Sequence, residues 1–473
     1  MEEFISASAD RFTKFLADTD SKAKKKYSNN VLVSFADTVN NFQIDSQIDS
    51  LLRLHERSFY YEKPDENFLI FGLDEALIIP ENGDKRFAAT DKKVKEWKQN
   101  FISNWNAFPG KVFPLFVGAM KFTIEHADND WSDYNDSSWL VPEIMLVKME
   151  GQSYLLYNFI HSQDFSKAVT ISKFKSKLEK LFKNSAQVNN KPQLKIRNIS
   201  GNSPKDKKKW KNMVSEALEI INDNELEKIV LSRKVDLVIS EEPNFSEIIQ
   251  NLRMNYTDSY LFIYHHGKSS FFGATPERLA KFSHGTLEVD ALAGSAPRGK
   301  TADEDLKIEN DLLNDKKNLN EHGIVINHIK NSISNFTKDI VIETNSHIRK
   351  LTNIQHLWTK ISAELNPSFS IHTLLKELYP TPAICGLPKD TSLQLIKKLE
   401  GYKRGLYSGI IGWFNFEGEG EFVIGIRSAL SINNRIIAFA GCGIVENSDP
   451  DNEYQETELK LKTILSLFNE NPS

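Results

Sequence analysis

Glu421-Phe-Val-Ile-Gly-Ile-Arg-Ser-Ala-Leu-Ser-Ile432, Asn433-Asn434, Arg435-Ile-Ile-Ala-Phe-Ala440 is the stretch on which the fold turns. Two apolar runs separated by two asparagines read as strands joined by a tight hairpin, because Asn accepts the left-handed backbone such turns need. A two-residue connection joins antiparallel strands, whereas parallel neighbours need a long crossover. Upstream, Lys228 to Ile239 alternates: Ile229, Leu231, Val235 and Leu237 face one way, and Lys228, Val230, Ser232 and Lys234 the other. Further strands are expected at Tyr260–Tyr264, Leu279–Phe282 and Gly409–Phe416, and a long helical segment at Asp303–Phe336, interrupted at Gly323. The expected class is therefore α+β, with large, mostly antiparallel sheets flanked by helices.

Downstream of the hairpin, the apolar run Ile436–Ala440 is expected to break at Gly441 and Gly443. The chain then turns at Asp449-Pro450 and starts a helix on which Glu453, Glu456 and Lys460 lie at i, i+3 and i+7, on one face. Carboxylates suit a hard divalent cation, glycines admit a close ligand, and the lysine suits an anion. This segment offers the parts for holding a carboxylated small molecule with Mg²⁺.

The seam of a two-part chain is expected in the polar stretch Asn184–Lys209, dividing residues 1–195 from 200–470. Ser203 is a good N-cap, with Pro204 at the first helical position and Asp206 three residues after the cap. Trp210, Met213, Val214, Ala217, Leu218 and Ile221 then form an amphipathic stripe. The first part carries strand-like runs at Val31–Phe35, Phe68–Gly72, Val112–Val117 and Leu155–Phe159 and a helix at Ser172–Phe182, but no chemical motif. It is expected to pack beside the second.

With 473 residues, 40% hydrophobic and 26% charged, the chain has the composition of a soluble globular protein. A net charge of -5 argues against a general nucleic-acid binder. Two cysteines, Cys385 and Cys442, give no disulfide framework and fit a reducing compartment. The first residues lack a signal-peptide core, and no apolar run reaches the roughly 20 residues of a membrane helix. A cytoplasmic protein is expected, without membrane or nucleic-acid partners, as a monomer or weak homodimer.

Taken singly, the polar candidates are weak. Lys228 at a strand start is ordinarily solvated, and so is Glu321 on a helix face with Lys317, Asn318, Val325 and His328. Glu277, in Gly273-Ala-Thr-Pro-Glu-Arg278, sits in a turn between strands. Ala291-Leu-Ala-Gly-Ser-Ala-Pro-Arg-Gly299 reads as a glycine-bounded loop suited to an anion. His356, in Asn353-Ile-Gln-His-Leu-Trp358, reads equally as a substrate-orienting group or a core histidine. Phosphate loops, dinucleotide fingerprints, His-Glu-x-x-His and nucleophile elbows are absent from the sequence.

In order, these segments resemble the chorismate-utilising enzymes, which comprise anthranilate, aminodeoxychorismate, salicylate and isochorismate synthases. The resemblance runs from about Lys228 to Lys460 and includes Pro380-Thr-Pro-Ala-Ile-Cys-Gly386, Tyr407-Ser-Gly409 and Gly425-Ile-Arg427. It implies Lys228 as general base toward water, where ammonia-using members carry glutamine. It implies Glu277 as the acid at the departing hydroxyl, and Mg²⁺ on Glu321, Glu453 and Glu456. Ser295, His356, Thr381, Ala383, Tyr407, Arg427, Gly441, Gly443 and Lys460 would contact chorismate. Ala293, where aminodeoxychorismate enzymes carry lysine, matches the isochorismate synthase pattern; Asn318 departs from the glutamate of anthranilate synthases. The implied activity is Mg²⁺-dependent isomerisation of chorismate to isochorismate, for menaquinone or alternatively a siderophore. The alternatives are a salicylate synthase and, in another class, a non-catalytic Mg²⁺–carboxylate binding protein.

Overall fold

The computed structural model describes residues 2–26, 30–39, 42, 44–108, 113–124, 130–183, 195–344, 346–352, 354–367 and 369–468. Residues 184–194 of the expected seam, Val112 and Asn353 lie outside the described residues.

Two large sheets organise the chain. The first has thirteen strands, twelve along one path and Gly386–Leu387 paired beside it on Lys228–Ile239. It runs from Ile196–Ser200 through Lys228–Ile239, Arg435–Ile444, Ser428–Ile432, Ser269–Thr275 and Tyr260–His266. It continues through Arg57–Lys63, Phe68–Leu73, Ile144–Met149, Gln152–His161 and Val31–Thr38 to Phe101–Ser103. The second, of ten strands, runs from Thr337–Ile342 through Ile354–Leu365, Thr286–Pro297, Arg278–Ser283, Gly420–Ile424 and Ile410–Asn415 to Leu115–Met120, Ser137–Val141 and Leu77–Glu81, with His347–Lys350 paired beside this path on Ile354–Leu365. Val31–Thr38 pairs in parallel with Phe101–Ser103, and the other sheet pairings named here are antiparallel. The first part of the chain extends both sheets edge to edge, pairing Arg57–Lys63 with Tyr260–His266 and Leu115–Met120 with Ile410–Asn415.

The hairpin at Asn433 forms as expected, with Asn433 left-handed at φ 52. The helix Pro204–Asn222 starts on a full capping box between Ser203 and Asp206 and buries Trp210, Met213, Val214, Ala217 and Ile221. Such a cap stabilises a helix by about 1 kcal/mol. Between the sheets, Tyr61, Val117, Phe262, Ile411 and Phe439 share one apolar cluster, so the facing sides are sealed.

Several local expectations give way to tertiary context. The strand Arg435–Ile444 runs straight through Gly441 and Gly443, because Lys228–Ile239 supplies ladder partners as far as Ile444. Glu421–Ile432 is two strands, Gly420–Ile424 and Ser428–Ile432, parted at Gly425-Ile-Arg427. Residues 291–297, read as loop, close the strand Thr286–Pro297, with a register shift between Ala293 and Ser295 where Gly294 takes φ +79. The long helix breaks at Asp315, which caps Lys316–Ile333, and not at Gly323. Lys228, Val230 and Ser232 are buried although they face away from Ile229 and Leu231, since that side of the sheet also carries the site.

Candidate active site

The two sheets and two helices meet at one cavity. Its walls include Glu277, Ala293, Gly294, Ser295, Glu321, His356, Ala383, Tyr407, Arg427, Gly441, Gly443, Glu456 and Lys460. Eleven of the fourteen residues singled out for chemistry thus border one space, drawn from strands, helices and turns far apart in sequence. Lys228, Glu453 and Thr381 stand just outside its lining. Thr381 is buried and holds a turn, its carbonyl accepting the N–H groups of Ile384 and Cys385.

Lys228 opens its strand fully buried, with Nζ 2.7 Å from Oε1 of Glu321 on the helix Lys316–Ile333. The approach is too bent for a well-formed hydrogen bond, so the amine lacks an aligned acceptor among the described residues. Gly443 makes this pairing possible. A Cβ there would overlap the Glu321 carboxylate and lie 2.8 Å from Lys228 Cε. Gly443→Ala is therefore expected to displace both groups and lower turnover about tenfold or more, with the far-ultraviolet dichroism unchanged. Wild-type rates in that variant would show that the pair's placement does not matter.

Glu277 follows Pro276 between the strands Ser269–Thr275 and Arg278–Ser283. Burial pushes its carboxyl up to about 7, although Lys228, Lys460 and Arg427 pull it back. A carboxyl poised there can carry a proton at neutral pH.

The same cavity has a cationic wall. Arg427 sits at φ 49 and Ser408 at φ 58, conformations that cost a non-glycine residue roughly 1–3 kcal/mol each. The first turns the Arg427 guanidinium onto His356, with Nη2 3.0 Å from Nε2. Burial drives His356 well below its usual pKa, and the neighbouring charges of Arg427 and Lys460 reinforce this, so its ring is neutral. Lys460 Nζ donates to the Gly441 carbonyl at 2.9 Å and pairs with Glu456 at 2.6 Å. Tyr407 stacks on Phe439 with ring centroids 5.0 Å apart.

Glu453 and Glu456 lie together on the helix Pro450–Leu465. Burial and the charge of Glu456 raise Glu453, and Lys317, 2.8 Å away, only partly offsets them. Burial also opposes ionisation of Glu456, but Lys460, Lys317 and Arg427 outweigh it and hold its pKa below the usual range. The sequence reading put Glu321, Glu453 and Glu456 around one cation. Among the described residues no group of three His, Cys, Asp or Glu side chains is placed to hold a metal. Each carboxylate instead turns to its own lysine: Glu321 to Lys228, Glu453 to Lys317 and Glu456 to Lys460. The donors nonetheless fit Mg²⁺ in kind, being carboxylate oxygens at a largely enclosed site, and a hard cation would relieve the repulsion between Glu453 and Glu456.

Sequence reasoning missed what holds the floor in place. Arg404, buried against Glu400, donates from Nη1 to the Ile384 carbonyl at 2.8 Å and from Nη2 to the Val230 carbonyl at 2.7 Å. Glu400 Oε1 in turn accepts the Ser232 N–H at 2.7 Å. The only signal was an i, i+4 acid–base pair, which is ordinarily a solvated helix contact.

A family model described as chorismate binding enzyme matches residues 16–469, well beyond the Lys228–Lys460 span of the sequence resemblance. The chain is 30% identical over 428 residues to isochorismate synthase MenF of Bacillus subtilis, covering 87% of each. It is also 30% identical over 408 residues to the salicylate biosynthesis isochorismate synthase of Pseudomonas aeruginosa, covering 86% of this chain and 83% of that one. In fold it is similar to the menaquinone-specific isochorismate synthase MenF of Escherichia coli, with a TM-score of 0.76 at 21% identity over 97% of this chain and all of the other.

Proposed function

This chain belongs to the chorismate-binding enzyme family, and from that premise we propose that it is an isochorismate synthase, an isomerase that replaces the C4 hydroxyl of chorismate by one at C2. The observation that carries the reading is the pairing of functions in one cavity. A buried amine at Lys228 lies beside it, and a carboxyl raised to about 7 at Glu277 borders it.

In this reading Lys228 takes a proton from water as the water oxygen bonds to C2. The ring double bond shifts, the C4–O bond breaks, and Glu277 gives its proton to the departing hydroxyl, which leaves as water. Arg427, Lys460, Tyr407 and the backbone at Gly441 and Gly443 hold the carboxylated substrate. Ala293 on the wall puts no amine where the aminodeoxychorismate enzymes carry their nucleophilic lysine. Glu321, Glu453 and Glu456 would hold Mg²⁺, which when bound neutralises a substrate carboxylate. The three lysines now on those acids must then let go of them. Two buried unpaired cysteines support a cytoplasmic setting. Menaquinone synthesis is the route we favour, and quinone content of a deletion strain tests it against a siderophore role.

Purified protein given chorismate and Mg²⁺ is expected to yield isochorismate on chromatography, without salicylate or pyruvate. Chelation should abolish turnover and Mg²⁺ restore it. Pyruvate release would make it a salicylate synthase. A product that requires ammonia, or tight chorismate binding without turnover, would end the reading.

A further inference from the structure

The contacts around His356 have a direction. Arginine offers only donors, so the contact from Arg427 Nη2 makes His356 Nε2 an acceptor. A neutral ring with a bare Nε2 carries its proton on Nδ1, which lies 2.9 Å from Ser295 Oγ. Ser295 Oγ therefore accepts from the histidine, and its own hydroxyl proton is left for another acceptor. That residue borders the cavity.

The Ser295 backbone is fixed as well. Its N–H donates to Asn318 Oδ1 at 3.2 Å. The amide of Asn318 cannot be reversed, because its Nδ2 donates to Asp315 Oδ1 at 2.7 Å, a carboxylate that also takes the Asn318 N–H at 2.8 Å. Asn318 Cβ also lies 3.1 Å from where a side chain on Gly294 would begin, so the bulge fits against this residue. Register places Ser295 directly opposite His356.

We infer that Arg427, His356 and Ser295 form a one-way hydrogen-bond relay in which a neutral, Nδ1-protonated His356 commits the Ser295 hydroxyl to donate to a substrate oxygen, with Asn318 as the positioning residue. The inference rests on the isochorismate synthase reading for the identity of that oxygen, a carboxylate or hydroxyl of a chorismate-like ligand. It denies His356 a role as proton carrier. The ring has Arg427 on one nitrogen and Ser295 on the other, with the Gly294 backbone as a further hydrogen-bond partner and Lys460 and Arg349 as further cations around it.

The tautomer can be read on the full-length chain. Long-range proton–nitrogen spectra of ¹⁵N-histidine-labelled protein, with the His356→Gln variant to assign the signals, should show one neutral Nδ1–H ring unchanged from about pH 6 to about pH 8. An Nε2–H ring or an imidazolium at His356 would overturn the relay. In kinetics, Ser295→Ala should raise KM for chorismate about tenfold while kcat changes by less than about threefold, since one hydrogen bond to bound substrate is removed. Asn318→Ala should move KM the same way, because Ser295 loses its backbone anchor. A wild-type KM in Ser295→Ala would also sink the relay. If wild-type protein converts no chorismate, the functional reading fails, and the spectrum still decides the tautomer.

Discussion

Lys228→Ala is expected to lower turnover of chorismate by about 10²-fold or more while the protein still binds its substrate. Among the described residues the amine has no aligned acceptor, and its closest charge is Glu321. It is buried, so bulk water cannot replace it as base. The substitution also leaves the Glu321 carboxylate unpaired. Breaking a buried ion pair costs about 3–5 kcal/mol, so the metal-free variant should melt at a lower temperature than the metal-free wild type. Metal on Glu321 should narrow that gap, because a cation then replaces the lost lysine charge. Rate and stability thus separate: Mg²⁺ is expected to recover the melting temperature and leave the rate low. Near-normal turnover in Lys228→Ala, measured by isochorismate formation, would remove the lysine from the chemistry.

Glu277→Gln should be at least as damaging, by about 10²- to 10⁴-fold, because a general acid is lost and the departing hydroxyl must leave unprotonated. The pH profile supplies the sign. A carboxyl raised to about 7 is protonated below that value and ionised above it. As an acid it acts in the protonated form, so kcat/KM of the free enzyme should fall as pH rises through about 7, a limb absent from the residual rate of Glu277→Gln. Stability follows the same proton. A raised folded pKa means that folding favours the protonated form. Stability from this group is therefore greatest below the ordinary carboxyl range and declines as pH rises toward 7. Above pH 7 the variant, with no charge to bury, should melt at a higher temperature than wild type. A variant that is both inactive and less stable at every pH would mark Glu277 as structural.

The sequence carried more of the site than of its supports. Lys228, Glu277, Tyr407, Arg427 and Lys460 were legible because their segments match a family pattern in order, and the helix from Pro450 because caps and spacing act locally. The lysine partner of Glu456, four residues on, follows from helical spacing, but those of Glu453 and Glu321 were not legible. Lys317 and Glu453 are 136 residues apart, and Lys228 and Glu321 lie in different elements, so no spacing rule connects them. Likewise the Glu400–Arg404 pair looks like any exposed helical pair until its burial is known.

By itself the chain's order of residues determined the antiparallel character of the sheets, the capped helices and the family. Each of these follows from turn chemistry, periodicity or a pattern read along the backbone. Only the tertiary structure decided that Arg435–Ile444 continues through its glycines, that Gly294 is a bulge within a strand, and that Glu277 is raised. Ladder partners, register and desolvation depend on what packs from elsewhere, and a residue's own neighbours in sequence do not contain that information.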